Sequence, residues 1–100
     1  MSNDYRERLF IVTYDIANAR RWRKVFRCMK GFGEWTQYSV FQCRLTAMDQ
    51  AELVAELDSL INHAEDHVLL IDICAADKIK PKVTSLGKPY SPPIREATIV

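Results

Sequence analysis

The chain has 100 residues, from which we expect one domain. No apolar run approaches the roughly 20 residues of a membrane-spanning helix, and the N-terminus is too polar and charged for a secretion signal, so we expect a cytoplasmic protein with no membrane partner. The net charge of +1 hides an asymmetry: residues 20–30 carry six cations and no acid, and residues 49–66 carry six acids and no cation. Local charge therefore steers its partners.

A strand is predicted over Arg8 to Asp15. The near-continuous run of apolar, β-branched and aromatic residues indicates a central strand covered on both faces. Asp15 ends this run, and a carboxylate beside apolar surface needs a cation, a hydrogen-bond donor or water, because burying it unpaired is costly. Asp15 is therefore the candidate catalytic residue and metal ligand. The alternative is that it caps the helix that follows.

A basic amphipathic helix is predicted next, from Ala17 or Asn18 to Phe32. Asn18 is the predicted N-cap, and Gly31 and Gly33 are expected to end the helix in left-handed geometry. The apolar face has helical spacing and consists of Ala19, Trp22, Val25, Phe26, Met29 and Phe32. The other face is a candidate nucleic-acid-binding surface formed by Arg20, Arg21, Arg23, Lys24, Arg27 and Lys30. The alternative is a merely solvated cationic face.

Two strands, a second helix and a last strand follow. Residues 34–45 are extended, with a bend or bulge predicted near Val40 to Gln42 that divides them in two. Residues 46–49 resemble a capping box, which predicts a helix to about Asn62. The final strand is predicted over residues 67–74. The apolar stripe of the second helix is assigned to Met48, Ala51, Val54, Leu57 and Ile61, widened by Leu53 and Leu60.

The last quarter of the chain reads as a tail of the same single domain, 1–100. Residues 76–100 are basic and contain prolines, which a central strand does not accept. Residues 97–100 regain strand character and are predicted to dock as a tail strand, for instance on a partner's sheet edge. The overall order predicts an α+β, ferredoxin-like βαββαβ sandwich with one sheet face left for a partner.

Other chemistry-bearing residues have plainer interpretations. The three cysteines show no zinc spacing and are expected to be buried thiols, and the two histidines are expected to be structural or on the surface. Asp72 interrupts the last strand, and is either a second metal ligand or a satisfied polar group at an interface. Trp22 is expected in the core, whereas Trp35 and Tyr38 are more open to stacking on bases.

Two motifs in this order resemble the CRISPR-associated protein two family, the small dimeric member of the bacterial spacer-acquisition machinery. They are Tyr14–Ile16 at the end of the first strand and Gln37–Phe41 after a glycine-bounded helix end, with the basic helix between them. The resemblance spans Leu9 to Cys74. It implies a homodimer in which the two copies of Asp15 bind one Mg²⁺, or Mn²⁺ in its place, near the two-fold axis. It also implies supporting roles for Tyr14, Ser39 and Phe41.

The resemblance leaves two functions open. One is a metal-dependent endonuclease that hydrolyses phosphodiester bonds in RNA or DNA, with Asp15 as the metal ligand. The other is a non-catalytic adaptor that binds duplex DNA and bridges subunits of the CRISPR integrase protein, with a structural Asp15. A generic ferredoxin-like regulator or a toxin-like ribonuclease is a weaker third reading. The basic helix serves the first two equally and does not separate them.

Overall fold

The computed structural model describes residues 6–76 and 80–87. Its elements are β1 (Arg8–Asp15), α1 (Ala19–Lys30), β2 (Glu34–Gln37), β3 (Val40–Leu45), α2 (Ala47–Leu60) and β4 (His67–Ala75). The strands form one antiparallel sheet in the order β2-β3-β1-β4. This confirms the predicted α+β, ferredoxin-like architecture. The predicted tail strand at residues 97–100 lies outside the described residues.

The core lies between the sheet and the two helices. Phe10, Val12 and Tyr14 of β1 alternate toward this side and are buried with Val25 and Met29 of α1. On β4 the alternate residues Leu69, Ile71 and Ile73 are 43–47% exposed. β1 is central, as predicted. The expectation that both of its faces are covered is wrong within the described chain, because both helices pack on the same face.

The end of α1 differs from its prediction. The helix ends at Lys30, and Gly31 continues in right-handed geometry with φ −81°. Among the described glycines only Gly87 has a positive φ, so the left-handed assignment is wrong for both Gly31 and Gly33. Gly33 is needed for space instead: a Cβ there would collide with the Sγ of Cys43 and lie 2.6 Å from the carbonyl oxygen of Gln42.

The β2–β3 connection is a two-residue hairpin turn at Tyr38 and Ser39. Gln37 pairs with Val40 across it, so the chain reverses two residues before the predicted bend. The turn was hard to place because it contains neither Asn nor Gly, the usual residues for the positive φ that such turns require. Tyr38 supplies that φ, at 44°.

The second helix begins as predicted and packs differently. Thr46 Oγ1 accepts a hydrogen bond from Asp49 N at 3.1 Å, and Asp49 Oδ2 accepts one from Thr46 N at 3.2 Å, which confirms the capping box. Met48, however, is 79% exposed, whereas Leu57 is buried. Met48 lies nine positions before Leu57, and at about 100° per residue that places it on the opposite side of the helix.

Candidate functional site

Asp15 is an exposed carboxylate at the end of the central strand. By strand alternation it shares the open face of the sheet with Ile11 and Thr13. The N-cap of α1 is Asn18, whose side chain accepts a hydrogen bond from Arg21 N at 2.9 Å, so the capping alternative for Asp15 is wrong. Across residues 6–76 and 80–87, no side chain forms an ion pair or hydrogen bond with Asp15. Its oxygens are available to a ligand.

His67 lies opposite Asp15 in the sheet. The two residues are Cα partners in the antiparallel pairing of β1 with β4. Directly opposed residues point to the same face, with Cβ atoms about 5 Å apart. The sequence pattern assigns His67 a structural or surface role, because Asp15 and His67 are far apart along the chain and meet only through the strand register.

A hard cation fits this site in part. Carboxylate oxygens are ligands that Mg²⁺ prefers, and Mg²⁺ keeps several waters. The described residues contain no cluster of three potential His, Cys, Asp or Glu ligands. One chain therefore contributes Asp15 with His67 alongside, and a fuller ligand set requires a second copy or the phosphates of a substrate.

Asp72 does not belong to this site. Both of its carboxylate oxygens accept hydrogen bonds from Arg8 Nε, at 2.8 and 2.9 Å. Asp72 also lies opposite Phe10, five residues from Asp15 along β1, which is about 16 Å. The second-ligand hypothesis is wrong within one chain, and Asp72 is the satisfied polar group of the alternative reading.

Five of the six cations predicted to bind nucleic acid are exposed, and one is partly buried in ion pairs. Arg21 Nε donates to Asp66 Oδ2 at 2.8 Å, and Arg21 Nη2 donates to Glu65 Oε1 at 2.8 Å. These carboxylates raise the pKa of Arg21, and the hydrogen bonds that Arg21 donates to Asp66 contribute most. The guanidinium of Arg21 is thus directed at the loop before β4 and away from solvent. The exposed cations are Arg20, Arg23, Lys24, Arg27 and Lys30.

Asp66 is the residue that sequence reasoning missed. Its side chain is fully buried, and beyond Arg21 it accepts hydrogen bonds from Ala17 N at 2.9 Å and Asn62 N at 2.8 Å. The Arg21 guanidinium, followed by these two amides, holds the pKa of Asp66 well below its usual range. Because Ala17 is two residues from Asp15, Asp66 anchors the backbone that directly follows the candidate metal ligand.

Ser39 joins three elements at the same end of the sheet. Its carbonyl accepts a hydrogen bond from Tyr14 N at 3.2 Å, and its hydroxyl accepts one from Trp22 Nε1 at 2.9 Å. The hairpin turn is thereby tied to β1 and to α1. Trp22, expected in the core, is half-buried, and its ring stacks on Phe26 at 5.1 Å with an interplanar angle of 9°.

Tyr14 and Phe41 lie in the core, on the side of the sheet that the helices cover. Phe41 is fully buried, with its ring 6.3 Å from Tyr14 and 5.6 Å from Phe26. Burial raises the pKa of Tyr14. The Tyr14 hydroxyl forms no hydrogen bond within the described chain. Tyr14 therefore stays protonated, and its ring packs against Phe41 on the core side of β1.

The fold and this site define a class: a small ferredoxin-like α+β protein with a lone carboxylate at the tip of β1 and a cationic first helix. The model of one family of this class, CRISPR associated protein Cas2, matches residues 8–80. The chain therefore belongs to the Cas2 family. No helix in the described segments is long and apolar enough to span a membrane.

Relatives agree with this assignment. The chain is 52% identical over 94 residues to the CRISPR-associated endoribonuclease Cas2 of Geobacter sulfurreducens, covering 94% of this chain and 99% of that protein. It is 45% identical over 94 residues to CRISPR-associated endoribonuclease Cas2 1 of Rhodospirillum rubrum, covering 94% and 92%.

Solved structures agree as well. The fold matches a hypothetical protein from Thermus thermophilus with a TM-score of 0.70 and 28% identity, covering 86% of this chain and 98% of that one. It matches Streptococcus pyogenes Cas2 with a TM-score of 0.66 and 25% identity, covering 79% and 99%.

Proposed function

We propose that this chain is a cytoplasmic, metal-dependent endonuclease of CRISPR spacer acquisition that hydrolyses phosphodiester bonds in RNA or DNA. The observation that carries the proposal is the position of Asp15, exposed and unpaired among the described residues, at the strand end that leads into cationic α1. The endoribonuclease names of the Geobacter and Rhodospirillum relatives support it.

Asp15 would hold Mg²⁺, or Mn²⁺ in its place, with the imidazole of His67 alongside. Such a cation, when bound, polarises a phosphoryl oxygen and activates water. In this proposal, Asp66 holds the backbone that positions the Asp15 carboxylate, and the exposed cations of α1 hold the phosphate backbone of the substrate. Arg20 and Arg27 are among the exposed cations suited to that second task, since contacts with phosphates fix a backbone without reading its sequence.

A homodimer completes the site in this proposal. Leu69, Ile71 and Ile73 leave an apolar strip on the open face, and exposed apolar strips of this kind favour association. Asp15 lies on the same face by strand alternation, so a second copy packed there by a two-fold axis would bring its own Asp15 toward the first. Two carboxylates and water then satisfy a magnesium ion.

The second candidate function is a non-catalytic adaptor that binds duplex DNA and bridges CRISPR integrase subunits. It is favoured by the small ligand set, since the described part of one chain offers no cluster of three metal-ligating side chains. The exposed cations of α1 serve duplex binding as well as they serve cleavage.

Cleavage of labelled single-stranded RNA and duplex DNA tests the proposal. Wild type, Asp15→Ala and a control, Glu52→Ala, which removes an exposed acid of α2, are assayed with and without Mg²⁺ after each is shown to be folded. Metal-dependent cutting that Asp15→Ala loses and Glu52→Ala keeps supports the nuclease. Absence of cutting by wild type, together with tight duplex binding, favours the adaptor.

A further inference from the structure

Tyr38 combines two features that packing does not explain. Its φ of 44° is the only positive value at a described residue other than glycine, and its side chain is 74% exposed. Left-handed backbone costs a residue with a Cβ about 1–2 kcal/mol, which glycine would avoid. The aromatic ring is what tyrosine adds at this turn, and most of that ring is presented to solvent.

The ring is held in a defined position. It lies 5.9 Å from the ring of Trp22 at an interplanar angle of 38°, and Trp22 in turn stacks on Phe26. Trp35 Nε1 donates a hydrogen bond to the carbonyl oxygen of Tyr38 at 2.9 Å, which fixes the turn backbone. Ser39, bonded to both Tyr14 and Trp22, fixes its other side. A pre-positioned cluster of rings results, in which Trp35 is 40% exposed and meets Phe26 edge-on at 88°.

Cations flank this surface. At about 100° per residue, Lys30 and Arg23 lie about 80–100° around α1 from Trp22, on the side of Phe26, and Arg27 and Arg20 follow at about 140–160°. Arg21 falls on the other side of Trp22, toward the loop before β4, where it meets Asp66. Of these cations, Arg23 and Lys30 lie on the helix flank next to the rings, and Lys30 Nζ lies 5.2 Å from the centroid of the Phe26 ring. They can hold the phosphates of one strand beside the exposed rings.

We propose that Tyr38, backed by Trp22, is a stacking platform for an unpaired nucleobase of a single-stranded RNA or DNA whose phosphates run along α1. The proposal rests on the proposed function, which places nucleic acid on this helix. Aromatic rings beside cations are the recurring means of binding single strands, because every base has a π-face while duplex bases are stacked on one another. The platform lies at the Asp15 end of the sheet, so it would hold a single-stranded segment next to the candidate metal ligand.

The test separates base stacking from phosphate binding. Wild type is titrated with two single strands of about 12 nucleotides, one with all of its bases and one abasic throughout, so that the phosphates are equal. A 2-aminopurine in a third strand reports stacking through quenching of its fluorescence. The variants are Tyr38→Phe, which keeps the ring, Tyr38→Gly, which removes it and suits the positive φ, and Met48→Ala as an exposed apolar control.

We expect wild type, Tyr38→Phe and Met48→Ala to bind the base-bearing strand roughly 5- to 50-fold more tightly than the abasic strand and to quench 2-aminopurine. Tyr38→Gly should lose that preference and the quenching, and keep its affinity for the abasic strand. Equal binding of both strands by wild type, or an unchanged preference in Tyr38→Gly, overturns the platform and leaves the proposed function standing. Binding of neither strand by wild type overturns the platform and phosphate binding by α1 together.

Discussion

His67 stands directly across the β1–β4 pairing from Asp15, on the same face of the sheet. A carboxylate alone suits Mg²⁺, whereas an imidazole beside it suits Mn²⁺ and other transition metals better. His67→Ala should therefore weaken Mn²⁺ binding by roughly tenfold and change Mg²⁺ binding little. Calorimetric titration of the metal-free protein measures both, with His63→Ala as the control, since His63 pairs with Asp58 instead. Unchanged Mn²⁺ binding in His67→Ala, or the same loss in the His63→Ala control, would contradict a role for His67.

Charge reversal on α1 should weaken nucleic-acid binding. Arg20→Glu combined with Arg27→Glu would replace two proposed phosphate contacts by repulsion, and the slope of log affinity against log salt should become shallower by about 2. Binding to duplex DNA is measured between low and moderate salt. The control, Lys80→Glu with Lys82→Glu, makes the same change in net charge at exposed residues outside both helices. An equal loss in the control would mean that only net charge matters.

The Asp66 anchor should make stability depend on pH in acid. Its carboxylate has a pKa lowered by folding, so its contribution is fully present above the unfolded-state value of about 4 and is lost as the pH falls below it. Asp66→Asn should lower the urea midpoint at pH 7, and the gap between the variant and wild type should narrow below about pH 4. A gap that stays constant down to pH 2.5 would argue against this ionised carboxylate as the cause.

Gly33→Ala should destabilise the fold by about 2–3 kcal/mol, because the new Cβ collides with the Sγ of Cys43 and with a carbonyl oxygen. Gly31→Ala is the matched control, since its Cβ would meet only the Cys28 carbonyl oxygen, at 3.3 Å. Adding Cys43→Ala to Gly33→Ala should recover part of the lost unfolding free energy but not all of it, because the Gln42 carbonyl at 2.6 Å remains. Urea unfolding of wild type, both single variants and the double variant measures these free energies. Full recovery in the double variant would show that the backbone at Gln42 moves to accept the new Cβ.

Tyr38→Gly should change the unfolding free energy by less than about 1 kcal/mol, since relief of the left-handed backbone offsets the lost contact with Trp22. Tyr38→Val keeps the backbone strain and loses the ring, so it should cost about 1–2 kcal/mol. Urea unfolding of the two variants checks the order. A valine variant more stable than the glycine variant would contradict strain at this turn.

Local patterns were enough to predict much of the fold. The bounds of β1 and the capping box at Thr46 came out as expected, because each depends on residues adjacent in sequence. The Tyr38 turn was misplaced because a tyrosine occupies a backbone conformation that sequence rules assign to Gly or Asn.

The candidate site was harder to predict than the fold. Asp15 was found from its place at a strand end, but its neighbours Asp66 and His67 come from a segment about 50 residues away. The ion pair with Asp66 distinguishes Arg21 from the other cations of α1, although the sequence pattern assigns all six to the same face. The contact between α1 and the loop before β4 shows that Arg21 already has a partner.

The contrast between a cationic α1 and an acidic α2 also limits where a nucleic-acid backbone could lie on this face. The two helices pack side by side on one face of the sheet, so a polyanion attracted to one is repelled by the acids of the other, Glu52 and Glu56 among them. A backbone aligned with α1 would meet the 12 residues of that helix, or about 18 Å. At 3.4 Å per base-pair step, each protomer should shield about five base pairs from a chemical probe.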